Sequence, residues 1–338
     1  MRTISMREAL REALFEEMER DPLMWMLGED IQDPMGGSYK ITLGLSTKFG
    51  TRRVRNSPIS EAAIVGAGVG AAITGTRPVV EIMYMDFLEI AMDQLVSQAA
   101  KIRYMSGGQV SVPLVVRCQG GPGRSAAAQH SQQLEAWFAH VPGLKVVMPA
   151  TPAEGKALLK ASIRDDNPVV FFEANSLYNA RGPVPDPDQD EAIPLGVADI
   201  KREGKDITIV AWSGMVPEAL RAADQLETSD GVHAEVVDLR TVSPWDKKTV
   251  LASFKKTGAM VVAQKAVRQA GLGAEIAATV YEEALDYVDV EIARVGAKFA
   301  PTPFAPELER YVVPGVDDIV NAVRTTMERG RRVVAASL

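Results

Sequence analysis

At 338 residues, with 46% hydrophobic and 24% charged side chains, the chain has the composition of an ordinary folded protein and the length for two domains. Its 44 acidic and 37 basic residues give a formal charge of −7 without a basic block, which argues against nucleic acid or an anionic membrane as partner. A single cysteine, Cys118, and three histidines without HExxH spacing exclude a disulfide scaffold, a cysteine zinc site and a His-rich metal centre.

Residues 1–10 read as the start of a charged amphipathic helix, not as a signal peptide. No apolar run is long enough to span a bilayer, and the chain is expected in the cytoplasm. Residues 5–20 predict a helix with Met6, Ala9, Leu10, Ala13, Leu14 and Met18 on its apolar face, and 23–28 a buried strand. Asp33-Pro34-Met35-Gly36-Gly37 is a loop; residues 52–55 are extended, and a small-residue helix opens at Glu61 and closes near Gly75. Then come a strand at 77–83, a long helix at 87–104 and an apolar strand at 112–117. The glycine-rich loop from Gly120 to Ala126 delivers Gln129-His130-Ser131-Gln132. Strands at 144–148 and 168–172 flank a helix near 153–165. Apolar strands alternating with helices predict a mainly parallel sheet covered on both faces.

The stretch 179–196 carries four prolines and the acids Asp186, Asp188, Asp190 and Glu191, and reads as the domain boundary. It divides the chain into a domain at 1–180, a linker at 181–198 and a second α/β domain at 199–338. That second part predicts strands at 207–212, 233–237, 260–263 and 290–295. Helices are expected near 216–226, after Ser243-Pro244, at 271–284 and from 316.

Glu61 is the residue to explain. Pro58 and Ser60 are helix-start signals, and an acid in the first turn sits well against the macrodipole. The next nine residues are Ala, Ile, Val and Gly alone, which predicts burial on most faces and makes Glu61 a candidate proton carrier. Gly66 to Ala71 also fits G-x-G-x-x-A, with Glu89 at the spacing of a ribose-binding acid, so a dinucleotide-binding reductase is the alternative function. Against it, the entering segment reads as helix, where that fingerprint needs a strand. His130 suits a structural or a functional role equally; Trp25, Trp137, Trp212 and Trp245 read as core. Asp165-Asp166-Asn167-Pro168 reads as a solvated turn, or as a cation site at a helix end whose last carbonyls are unpaired.

Several stretches together carry a resemblance: Ser57-Pro58-Ile59-Ser60-Glu61, Arg103-Tyr104-Met105-Ser106-Gly107-Gly108, Ala128-Gln129-His130-Ser131-Gln132, Pro142-Gly143-Leu144-Lys145-Val146-Val147, Ile163-Arg164-Asp165-Asp166-Asn167-Pro168 and Asp238-Leu239-Arg240-Thr241. In this order they resemble the β subunit of the thiamine-diphosphate-dependent 2-oxo acid dehydrogenases of pyruvate, acetoin or branched-chain type, over essentially the whole chain. The resemblance implies an α/β fold of two doubly wound domains. The N-terminal one would be a thiamine-diphosphate pyrimidine-binding fold and the C-terminal one transketolase-like, assembled as two α and two β subunits.

By position, the resemblance makes Glu61 the acid that hydrogen-bonds the aminopyrimidine ring nitrogen, and Met83 and Phe87 the side chains packed on that ring. It makes His130 the histidine that assists acyl transfer to a lipoyl group of an acyltransferase core. Leu114, Ser162, Ile163, Asp165 and Asn167 would hold a structural potassium. No GDG motif with its following asparagine occurs in this chain, so the α subunit would supply the diphosphate and magnesium site. Ile90 replaces a polar residue of pyruvate-type members and Lys265 a common glutamate. The first weakens a pyruvate assignment; together with Ala99-Ala100-Lys101-Ile102-Arg103-Tyr104 and Arg124-Ser125-Ala126-Ala127-Ala128, which look more like acetoin-type members, it favours acetoin or pyruvate over branched-chain substrates. A catalytically silent scaffold for a lipoyl-bearing core is a third possibility, needing neither Glu61 nor His130.

Overall fold

The computed structural model describes residues 1–186 and 192–337, with side chains through 330. Pro187, Asp188, Asp190 and Glu191 of the expected linker fall outside the described residues. Contacts divide the chain into two compact units, Met1–Gly120 with Trp137–Leu195, and Gly121–Ala136 with Gly196–Leu338.

The first unit contains strands β1 (Arg2–Ser5), β2 (Met24–Gly28), β3 (Val54–Asn56), β4 (Arg77–Ile82), β5 (Val115–Gly120), β6 (Lys145–Val147), β7 (Val169–Ala174) and β8 (Arg181–Val184). Six of them pair in parallel in the order β6-β7-β5-β4-β2-β3, as their mainly apolar runs predict for a sheet covered on both faces. The helix Met6–Arg20 buries all six apolar residues expected of it, and a capping box between Ser5 and Glu8 fixes its start.

Two local features depart from expectation. Residues 2–5 are a strand rather than part of a helix, because they pair antiparallel with β8, a segment read from sequence as the start of the linker. Long-range backbone pairing of this kind has no local signature. The run expected as one helix at 87–104 is a 3₁₀ stretch at Met85–Ala91, a π stretch at Asp93–Ala99 and an α turn at Ala100–Met105. Trp25 and Trp245 are half-buried and Trp212 is buried, but Trp137 is half exposed, against the expectation of four core tryptophans.

The second unit holds β9 (Asp199–Arg202), β10 (Ile207–Ala211), β11 (Ala234–Asp238), β12 (Thr241–Ser243), β13 (Met260–Val267) and β14 (Ala293–Ala297). Five of these pair in the order β14-β13-β10-β11-β9, parallel except for β9. Helices Val216–Asp230, Lys247–Thr257, Leu272–Ala284 and Val316–Ser337 complete the unit. Among the described residues no helix is long and apolar enough to cross a membrane.

Candidate active site

The strand order of the first unit reverses between β2 and β4: the chain leaves β2 for β3 on one side and β4 for β5 on the other. Such a reversal opens a crevice at the carboxyl ends of the strands, where open α/β sheets take their ligands. Glu29 directly follows β2, Met83 follows β4, and the segment after β3 leads through Pro58 into the helix Glu61–Ile73. The Ser57 amide donates to Gly28 O at 2.9 Å and pins that segment to the neighbouring strand end.

Glu61 is 5% exposed and begins its helix, yet among the described residues its carboxylate accepts no hydrogen bond. Its two oxygens are therefore open to a donor. Glu29 lies close enough to feel Glu61. Burial pushes its carboxyl up, and Glu61, Asp30 and Glu81 add to the effect; its Oε1 is buried with no hydrogen-bond partner among the described residues. Met83 and Phe87 are half-buried. Gln119 Nε2 donates to Met83 O at 2.8 Å, and the Phe87 ring packs edge-on to Tyr84 with centroids 5.7 Å apart. Glu61, Met83 and Phe87 thus lie along one sheet edge, while Ile90 points outward, 57% exposed.

Gly66, Gly68 and Ala71 of the expected dinucleotide fingerprint lie inside the helix Glu61–Ile73 and not in a strand-to-helix turn. No amides are freed there to hold a pyrophosphate, and the dinucleotide reading is corrected. Gly68 has a packing reason instead: a Cβ there would stand 2.9 Å from Leu114 Cδ1 and from Val80 Cγ1.

His130 belongs to the second unit. It ends the short turn Ala128–His130 and is half-buried. The neighbouring Ser131 hydroxyl is buried with no partner among the described residues. Ser131 also lines a cavity of about 440 Å³ with Ala128, Gln132, Lys265 and Phe299. Burial pushes the Lys265 ammonium down, with Glu218 pulling it back up.

The chain matches the family described as transketolase, pyrimidine binding domain, over residues 2–181 and that described as transketolase, C-terminal domain, over 196–319. It is 46% identical to the pyruvate dehydrogenase E1 component subunit beta of Rhizobium meliloti, over 96% of this chain and 70% of that protein. It is 44% identical to the acetoin:2,6-dichlorophenolindophenol oxidoreductase subunit beta of Cupriavidus necator, over 98% of this chain and 99% of that one. The chain belongs to the family of pyruvate and acetoin dehydrogenase E1 β subunits. Among solved structures, a split-gene transketolase described as an inactive β4 tetramer superimposes with a TM-score of 0.77 at 25% identity, covering 96% of this chain and 98% of that one.

Within this E1 β framework, sequence reasoning missed an ionic cluster. Arg117 on β5 is 2% exposed; its Nη1 donates to Glu81 Oε2 at 2.7 Å, its Nε to Glu173 Oε1 at 2.8 Å and its Nη2 to Glu173 Oε2 at 3.0 Å. Tyr178 adds a hydroxyl donor to Glu173 Oε2 at 2.6 Å. Arg117 and Glu81 are register partners across β5 and β4. Burial pushes the Glu81 carboxyl up against the pull of Arg117. The sequence held a usable signal: single charges inside apolar strands of a doubly covered sheet have to meet one another.

The expected cation ligands gather at the opposite, amino edge of the same sheet, where the helix Pro152–Arg164 ends and the chain enters β7. Their side-chain oxygens are committed. Ser162 Oγ donates to Leu158 O at 2.7 Å, and Asp165 Oδ1 accepts from the Asn167 amide and from Asn167 Nδ2 at 2.8 and 2.9 Å. Burial pushes the Asp165 carboxyl up, but Lys145 and Asn167 outweigh it and hold the group below the usual range. Arg77 donates to Ile163 O and Asp165 O at 3.1 and 3.0 Å, and Leu114 O accepts from the Val169 amide at 2.8 Å. What is left for an ion is the second lone pair of each carbonyl. Among the described residues no three His, Cys, Asp or Glu side chains form a metal set.

Proposed function

We propose that this chain is the β subunit of a thiamine-diphosphate-dependent E1 component that works with an α subunit, cleaves pyruvate or acetoin, and passes the acyl group to a lipoyl-bearing acyltransferase core. The names of the Rhizobium and Cupriavidus relatives support the two substrates. The observation that carries the reading is Glu61, buried at the carboxyl edge with no hydrogen-bond partner among the described residues. A carboxyl so placed fits a heterocycle ring nitrogen with which it shares one proton.

When bound, thiamine diphosphate supplies the electron sink for cleavage beside a carbonyl. The work of this chain is orientation and proton management. Glu61 would hold a proton between its carboxyl and the aminopyrimidine ring nitrogen of the bound cofactor, and Met83 and Phe87 would pack on that ring and exclude water. His130 donates a proton during acyl transfer to the lipoyl group. The diphosphate and magnesium belong to the α subunit, since the GDG motif is not in this chain. A structural potassium on the carbonyls of Leu114, Ser162, Ile163, Asp165 and Asn167 is part of the same reading. Its test is a melting temperature of the complex that is higher in potassium than in choline salts.

Glu61→Gln in the reconstituted α/β complex is expected to lower turnover of pyruvate or acetoin by about 10²–10⁴-fold without loss of assembly. An unchanged rate removes Glu61 from the mechanism. A substrate panel of pyruvate, acetoin and branched oxo acids on the same complex selects the substrate. The purified single chain is expected to turn over none of them.

A further inference from the structure

The segment carrying His130 is strained and clamped within its own unit. Ser125 and Ala127 sit at φ 53° and 61°, in the left-handed region, beside Gly121 and Gly123 at 87° and 110°. Each non-glycine residue held there costs about 1–2 kcal/mol, so the conformation persists only where its surroundings enforce it. Glu309, in the helix Pro306–Val312, does the enforcing. It is 5% exposed, and its two oxygens accept from the Gly123 amide at 2.8 Å and the Ser125 amide at 2.9 Å, with the Ser125 hydroxyl at 3.5 Å. A second buried carboxylate holds the far end. Glu135 accepts from Trp212 Nε1 at 3.1 Å and from Gln133 Nε2 at 3.3 Å. The Gly121 amide closes the loop onto Gln132 O at 3.2 Å.

We infer that Glu309 is a positioning residue for His130: by chelating the Gly123 and Ser125 amides, it holds the loop in the strained shape that presents the imidazole to the acyl acceptor. The inference rests on the proposed role of His130 in acyl transfer. A carboxylate is the right group for the task. An acceptor with two oxygens and no N–H takes one of two convergent backbone donors on each oxygen and presents no donor against either, and charge-assisted bonds to amides are stronger than neutral ones. Glutamine at the site would turn an amide donor toward one of the two N–H groups, and alanine would free both.

The test uses Glu309→Gln and Glu309→Ala in the assembled α/β complex, with two rates and one structural readout. Acylation of a free lipoyl domain is expected to fall by about 10–100-fold in Glu309→Ala, the scale for a misplaced catalytic group. Turnover with 2,6-dichlorophenolindophenol, which bypasses the lipoyl group, should fall by less than about threefold. Hydrogen exchange of the 121–132 amides should rise about tenfold, with Glu309→Gln between wild type and alanine. Unchanged exchange, or equal loss of the two rates, overturns the proposal. If the alanine variant does not assemble, Glu309→Gln decides by the same criteria. His130→Ala is measured alongside: if it leaves lipoyl acylation intact, the role of His130 fails, and exchange in the Glu309 variants decides the clamp by itself.

Discussion

Glu173 and Glu61 are both carboxylates buried in the first unit, and they differ in what they touch. Glu173 meets the fork of Arg117 and the hydroxyl of Tyr178, so its lone pairs are used inside the chain. Glu61 meets no donor among the described residues. Burial alone therefore does not make two acids alike; what each meets does. The Arg117 cluster is complete within the unit and ties neighbouring strands, while Glu61 follows β3 at the strand-order reversal with its oxygens open, as the proposed role requires.

The largest effect is expected from Glu61→Gln, where a rate loss of about 10²–10⁴-fold should come with a melting temperature unchanged or raised, because no hydrogen bond among the described residues is lost. A clear fall in melting temperature would place Glu61 with the structural acids. Arg117→Met does the reverse. It strands two carboxylates in the core and should cost about 3–5 kcal/mol in denaturant unfolding. A loss below about 1 kcal/mol would mean that Glu81 and Glu173 are satisfied without it.

Packing beneath the Glu61 helix gives a smaller effect. Gly68→Val drives methyl groups into Leu114 and Val80, and about 1–3 kcal/mol of destabilisation is expected, with activity falling only as far as the helix shifts. A variant as stable as wild type would show that the helix can retreat from the sheet.

The smallest effect comes from Asp33, a satisfied acid nearer the surface. Desolvation pushes its carboxyl up, but hydrogen bonds from the Thr47 hydroxyl, the Gly44 amide, Ser46 Oγ and the Thr47 amide prevail and hold it at about 2 against an ordinary 3.8. Its folded value is depressed, so its contribution is fully present above pH 3.8 and is lost as pH falls through about 2. After discount for solvent screening this is about 1 kcal/mol. Asp33→Asn should remove that pH dependence, read as a flatter stability profile between those limits.

Most of the strands and the apolar face of the first helix were legible in the sequence because hydrophobic period is a local signal. The six apolar residues expected on the helix Met6–Arg20 are all buried. Glu61 was legible as well, since one acid heading a run of small apolar residues contradicts its surroundings. Other features were not. The β1–β8 pairing joins residues about 180 positions apart, and the irregular helical run at 85–105 departs from a pattern that reads as an ordinary helix. Nothing near Glu309 in the chain marks it as buried, because the amides it meets lie in a distant loop.

The order of residues alone was enough for the family, the alternation of strand and helix, and the one acid placed against the grain of its neighbours. Period and composition act over a few residues and survive in one dimension. Which charges are satisfied follows from the folded arrangement: Arg117 neutralises acids from two other strands, Arg77 and Lys145 occupy a helix end, and Glu309 grips a loop some 185 residues earlier in the chain. Hydrogen-bond satisfaction belongs to pairs of groups, and folding chooses the pairs.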